Sequence, residues 1–193
     1  MTGGETCGSG AIMFRYRSSL VLHDVTRRAP WTGSTHDGGK AALYRELAEE
    51  LDALLSGEDD ATANAANAAA AIYHTLPRLN WAGFYFLRNG TLVLGPFQGR
   101  PACVRIKVGT GVCGTAAAQR CSVLVPDVEQ FPGHIACDTA SRSELVVPLL
   151  RNGELLGVLD LDSPDLARFD NTDRTGCEAL AAIVVRHLAR SVL

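Results

Sequence analysis

The stretch "ELVVPLLRNGELLGVLDLDS", residues 144–163, reads as two apolar runs joined at Asn152-Gly153. Asn-Gly between β-rich segments is a strong hairpin signal, because both positions of a tight I′ turn need positive φ. A second such unit lies upstream in "WAGFYFLRNGTLVLGPF", residues 81–97, with Asn89-Gly90 at its turn. Two hairpins predict an antiparallel sheet. In the later one Asp160 and Asp162 alternate with Leu159 and Leu161. Strand periodicity puts both carboxylates on one face and both leucines on the other, toward a core.

Helices flank these strands. "AALYRELAEELDALLSGE" repeats Leu43, Leu47, Leu51 and Leu54 at helical spacing, and Gly57 follows as a stop. The Ala-rich "DATANAANAAAAIYHTLPRL" predicts a closely packed second helix capped by Asp59 or Asp60. "CVRIKVG" reads as a strand, "VCGTAAAQR" as a short helix and "SVLVPD" as a strand. "NTDRTGCEALAAIVVRHLARSVL" closes the chain as a helix with a polar start and arginines toward its end, as the helix dipole favours. Hairpin-linked strands between terminal helices imply an α+β domain, a central antiparallel sheet flanked by N- and C-terminal helices. Residues 1–36 carry Gly-rich and turn-rich text without periodicity and are expected to be a flexible extension; residues 37–193 are the domain.

The composition excludes several classes of function. A net charge of -3 and a pI near 5.9 do not suit a phosphate-binding surface, so no nucleic-acid partner is expected. No apolar run approaches the ~20 residues of a membrane helix, and no secretory leader is read. The arginines of residues 13–30 make a poor presequence, and a cytoplasmic location is expected. The six cysteines, at 7, 103, 113, 121, 137 and 177, form no C-x-x-C pair, which argues against a zinc ribbon or a thioredoxin-type motif.

Of these, Cys7 lies in the extension, while Cys121 and Cys177 are read as packing residues. Cys103, Cys113 and Cys137 sit at element edges beside glycine, proline or charge, where reactive thiols are found more readily. The residues alone leave them open as nucleophiles, metal ligands, disulfide partners or packing groups. His134 in "GHIACD" is read as a loop residue, although it could serve a Cys-His hydrolase as base. Glu144 with Asp160 and Asp162 forms an acidic cup. Like charges in a cleft raise one another's pKa and make a carboxylic acid available at neutral pH.

Taken in order, "NWAGFYFL", "LVLGPFQGRPACVRI", "GVCGTAA", "GHIACD", "SELVVPLL" and "GELLGVLDLDS" resemble the free methionine-(R)-sulfoxide reductases, which are stand-alone GAF domains. The resemblance covers residues from about 40 to 193. It implies that Cys137 is the catalytic cysteine, Cys103 the resolving one, and Cys113 a third with an auxiliary role. It implies that Glu144, Asp160 and Asp162 surround the sulfoxide and amino groups, with Trp81 and Tyr85 as pocket aromatics. Backbone N–H groups of the 131–137 loop, at Ile135 and Ala136, are candidates for the substrate carboxylate. Cys121 and the extension depart from the family pattern.

The implied chemistry needs no cofactor and no metal. A thiolate attacks the sulfoxide sulfur, an acid protonates the departing oxygen, and the sulfenic acid condenses with a second thiol. A thioredoxin-type dithiol would then reduce the disulfide. A homodimer is compatible with the resemblance. The rival readings are a non-catalytic GAF sensor of a small molecule and a redox-switched regulator.

Overall fold

A computed structural model of the chain describes residues 39–134 and 139–188. Two helices, α1 (Gly39–Leu55) and α2 (Ala61–Thr75), precede the hairpin β1 (Trp81–Arg88) and β2 (Thr91–Gly99). Then come the short β3 (Arg105–Lys107), α3 (Gly111–Gln119), the short β4 (Val123–Val125) and a 3-10 turn at Val128–Gln130. The hairpin β5 (Ser143–Arg151) and β6 (Glu154–Ser163) leads to α4 (Asn171–His187). The strands form one six-stranded antiparallel sheet in the order β3-β2-β1-β6-β5-β4, the α+β architecture expected. Among the described residues, no helix is long and apolar enough to cross a membrane.

Both predicted turns form. Asn89 and Gly90 have φ of 49° and 76°, and Asn152 and Gly153 have 52° and 81°, as a I′ turn requires. The alternation of the strands then sorts the molecule into two cores. Ala82, Phe84, Leu145, Val147, Leu149, Leu159 and Leu161 face α1, α2 and α4. Trp81, Tyr85, Val146 and Val158 face the other way, toward α3 and the 3-10 turn. Each burial of such a side chain contributes about 1.5–3 kcal/mol.

Local chemistry explains the helix ends. Asp60 rather than Asp59 caps α2, accepting from the Ala63 N–H at 2.8 Å. Asp170 caps α4 in a capping box, in which Asp173 reciprocally accepts from the Asp170 N–H. Asp173 is fully buried. It is satisfied by the Tyr44 hydroxyl at 2.9 Å, Lys40 Nζ at 2.6 Å and an Arg168 nitrogen at 2.9 Å. One carboxylate thus ties α1 to α4. Gly176 lets this happen, since a Cβ there would lie 2.2 Å from Tyr44 Cγ.

Three expectations are corrected. The inward stripe of α1 is Tyr44, Leu47, Leu51 and Leu55, while Leu54 is half exposed. Tyr44 takes the place because its ring packs on the bare Gly176 surface and its hydroxyl reaches Asp173. The strand read across residues 103–109 is only three residues long, because Gly109 and Thr110 turn back into α3. Cys121 is exposed, its thiol 3.6 Å from the Gln119 side chain, because it follows the left-handed Arg120 that ends α3. Cys177, by contrast, is buried as expected.

Candidate functional site

Strand register builds the site before any side chain is considered. Glu144 on β5 pairs with Asp162 on β6, which pairs with Trp81 on β1. One step along, Val146 pairs with Asp160, which pairs with Gly83. Glu144, Asp160, Asp162, Trp81 and Tyr85 therefore project from three adjacent strands onto the face opposite the three long helices. They line one cleft together with Cys113, His134, Arg100 and Ser141. Its enclosed volume is about 40 Å³, and the rest of the cleft is open to solvent.

The aromatic wall depends on a missing side chain. Trp81 stacks on Phe97 at 5.3 Å between ring centroids and on Tyr85 at 5.9 Å. Its indole N–H donates to the Arg100 carbonyl at 3.1 Å, which fixes the ring plane. A Cβ on Gly83 would lie 2.3 Å from Phe97 Cβ and 2.7 Å from the Trp81 ring. Only glycine leaves room for that stack.

The acidic wall closes from the α3 side. Gly114 lets α3 approach, since a Cβ there would lie 2.4 Å from the Lys107 carbonyl. Cys113, in the first turn, then places its sulfur 4.0 Å from Glu144 Oε1. Cys113 Sγ and one oxygen each of Glu144 and Asp160 lie within 4.8 Å of one another, all buried. Asp160 Oδ1 is buried without a hydrogen-bond partner among the described residues. Such an arrangement is an open acceptor for a cation, either an ammonium or a metal ion.

Burial sets the protonation states. Glu144 is 6% exposed, and desolvation together with the charges of Asp160 and Asp162 holds its carboxyl well above the usual range. Desolvation also raises Asp160, to about 6, opposed by hydrogen bonds from Cys113 and Glu144 and from the Leu161 backbone. Cys113 is raised well above a free thiol by burial and by Asp160 and Glu144, so it keeps its proton at neutral pH.

The predicted residues Cys103, Cys113, Glu144, Asp160, Asp162, Trp81 and Tyr85 all fall within the described residues, and all but Cys103 line the cleft. Cys103, half-buried, packs against the apolar core beneath the cleft and is disulfide-bonded. Cys137, Ile135 and Ala136 lie outside the described residues. Sequence reasoning misses Arg100, Ser141 and Phe97, and it reads His134 as a loop residue. His134 is the most consequential, with its Nε2 3.8 Å from Glu144 Oε2. Its position three residues before Cys137, after the Pro132-Gly133 turn, was the available signal.

Comparison with known proteins agrees with this geometry. Residues 41–191 match the GAF domain family. The chain is 51% identical over 155 residues to Protein YtsP of Bacillus subtilis (strain 168), across 79% of this chain and 95% of that protein. It is 49% identical over 150 residues to the Free methionine-R-sulfoxide reductase of Escherichia coli (strain K12), across 78% and 91%. Among solved structures, that of free methionine-R-sulfoxide reductase from Neisseria meningitidis in complex with its substrate superposes with a TM-score of 0.75. It shares 46% identity and covers 80% of this chain and 92% of that one.

Proposed function

Because the chain belongs to the GAF domain family, in the branch of the free methionine-R-sulfoxide reductases, we propose that it reduces the R-sulfoxide of free methionine to methionine. The observation that carries this reading is the buried trio of Glu144, Asp160 and Cys113 facing the Trp81 and Tyr85 rings across one cleft. A free amino acid brings an ammonium for the acids and an S-methyl group for the aromatic wall. A peptide-bound substrate lacks the free ammonium and leaves the acids unpaired, which supports selectivity for the free form.

The environments of the carboxyls push their roles apart. Asp160, raised only to about 6, is largely ionised at neutral pH and accepts the ammonium together with Asp162. Glu144, held well above the usual range, keeps its proton and gives it to the sulfoxide oxygen. Cys113 is a poor nucleophile in the same acidic surroundings, and the attack is assigned to Cys137, as the family resemblance implies. The Cys137 thiolate attacks the sulfoxide sulfur, and the sulfur–oxygen bond of the substrate breaks. The oxygen and the Glu144 proton end on Cys137 as a sulfenic acid, so methionine sulfur gains two electrons and cysteine sulfur loses two.

Cys103 then displaces that oxygen as water and closes a disulfide with Cys137. That Cys103 is disulfide-bonded supports its reading as the resolving thiol. A thioredoxin-type dithiol resets both thiols by exchange, and no bound cofactor is required. The cycle suits a reducing cytoplasm.

An NADPH-linked assay with a thioredoxin system tests the reading. Turnover is expected with free methionine-R-sulfoxide, and neither with the S epimer nor with an N-blocked methionine sulfoxide. No turnover by freshly reduced protein would sink the proposal and favour a GAF sensor.

A further inference from the structure

Glu144 must recover a proton after each turnover, yet it is 6% exposed and shielded by Asp160, Asp162 and Cys113. Asp160 and Asp162 come from β6, Cys113 from α3, Tyr85 from β1 and Arg100 from the segment after β2. Of these, the two acids face the substrate ammonium, and burial holds the Cys113 thiol and the Tyr85 hydroxyl to their protons. The Arg100 guanidinium carries only N–H donors and has no lone pair to accept a proton in passing. None of these groups serves as a relay between Glu144 and water.

His134 differs from all of them. Its side chain is 17% exposed, and its Nε2 stands 3.8 Å from Glu144 Oε2. The loop holds it there through its backbone N–H, which donates to the Phe131 carbonyl at 3.1 Å. The gap exceeds a hydrogen bond, but one water or a small swing of the ring spans it. Desolvation lowers the imidazole below its usual value, so it releases a proton readily once charged.

We infer that His134 is the proton relay of the cleft, drawing a proton from solvent and returning it to Glu144 after that acid has protonated the departing oxygen. The inference rests on the reductase reading above. Proton balance closes in each turnover: Glu144 loses one proton to the sulfenic oxygen, the His134 imidazolium restores it, and solvent recharges the imidazole. His134 touches no reacting atom in this scheme. It acts through Glu144 and is a positioning residue.

The test compares wild type with His134→Ala and His134→Gln, using saturating dithiothreitol as reductant. Melting curves verify that both variants fold. The relay predicts that kcat falls about tenfold to a hundredfold at pH 8, with KM little changed. The loss is expected to be smaller at pH 6. The first methionine released by reduced protein should slow far less than later ones, because Glu144 starts out protonated. Added imidazole should restore much of the His134→Ala rate and leave wild type unaffected.

Wild-type kcat and an unchanged pH profile in His134→Ala would overturn the relay. So would equal slowing of first and later turnovers without rescue by imidazole, which marks a purely structural role. A wild type that releases no methionine at all would overturn the reductase reading itself, and the relay with it.

Discussion

Replacing Asp160 with Asn should make the protein more stable and less active, with a gain that depends on pH in a specified direction. Asp160 is 7% exposed, its Oδ1 lacks a hydrogen-bond partner among the described residues, and burial raises its carboxyl from 3.8 to about 6. A folded pKa above the unfolded one means that the protonated form favours the native state. That contribution is complete below pH 3.8 and is lost as pH rises through about 6. At ~1.36 kcal/mol per pKa unit, ionising the buried group costs about 3 kcal/mol at pH 8. Asn removes the charge while its amide can still bond Glu144 or Cys113. The expected gain is thus about 3 kcal/mol at pH 8, or roughly 6–12 °C in Tm, and close to zero at pH 3.5. Thermal melts of the reduced proteins across this range measure it. A variant that melts at or below wild type at pH 8, or gains as much at pH 3.5, refutes the reasoning. The same variant should bind the substrate ammonium poorly and raise KM.

Other outcomes follow from packing and thiol chemistry. Gly176→Ala should lower stability by about 1–3 kcal/mol despite the better helix propensity of Ala, because the added methyl meets the Tyr44 ring at 2.2 Å; chemical denaturation measures it. Cys137→Ser should abolish methionine release in a single turnover, while Cys103→Ser should release about one equivalent and then fail to recycle. Quantifying methionine against enzyme distinguishes the two, and release by Cys137→Ser would overturn the assignment of the nucleophile. Trp81→Leu should raise KM about tenfold or more with a smaller effect on kcat, because the stack on Phe97 and Tyr85 forms the apolar wall; steady-state kinetics tests it.

Much of this site was legible because strand alternation is a local rule. The spacing of Asp160 and Asp162, the leucines between them and the two Asn-Gly turns were enough to put both acids on one face. Residues that reach the cleft through tertiary packing were not legible. Cys113 meets Glu144 only because Gly114 lets α3 settle against the Lys107 carbonyl, and no periodicity encodes that approach. His134 is placed by a turn whose direction depends on Phe131 and Gly133, so it read as an ordinary loop residue. Leu54 misled because four leucines at helical spacing outweighed Tyr44, whose partner Asp173 lies 129 positions away.

The two faces of β5 and β6 also bear on how such a domain can change over time. Val147, Leu149, Leu159 and Leu161 hold the helix layer, while Glu144, Val146, Asp160 and Asp162, in the alternate positions, meet whatever occupies the cleft. Substitutions at one parity alter the ligand with little disturbance of the helices behind it; substitutions at the other alter stability with little effect on the ligand. A lineage can therefore exchange one small guest for another by rewriting every second residue of a few strands, and keep the same scaffold throughout.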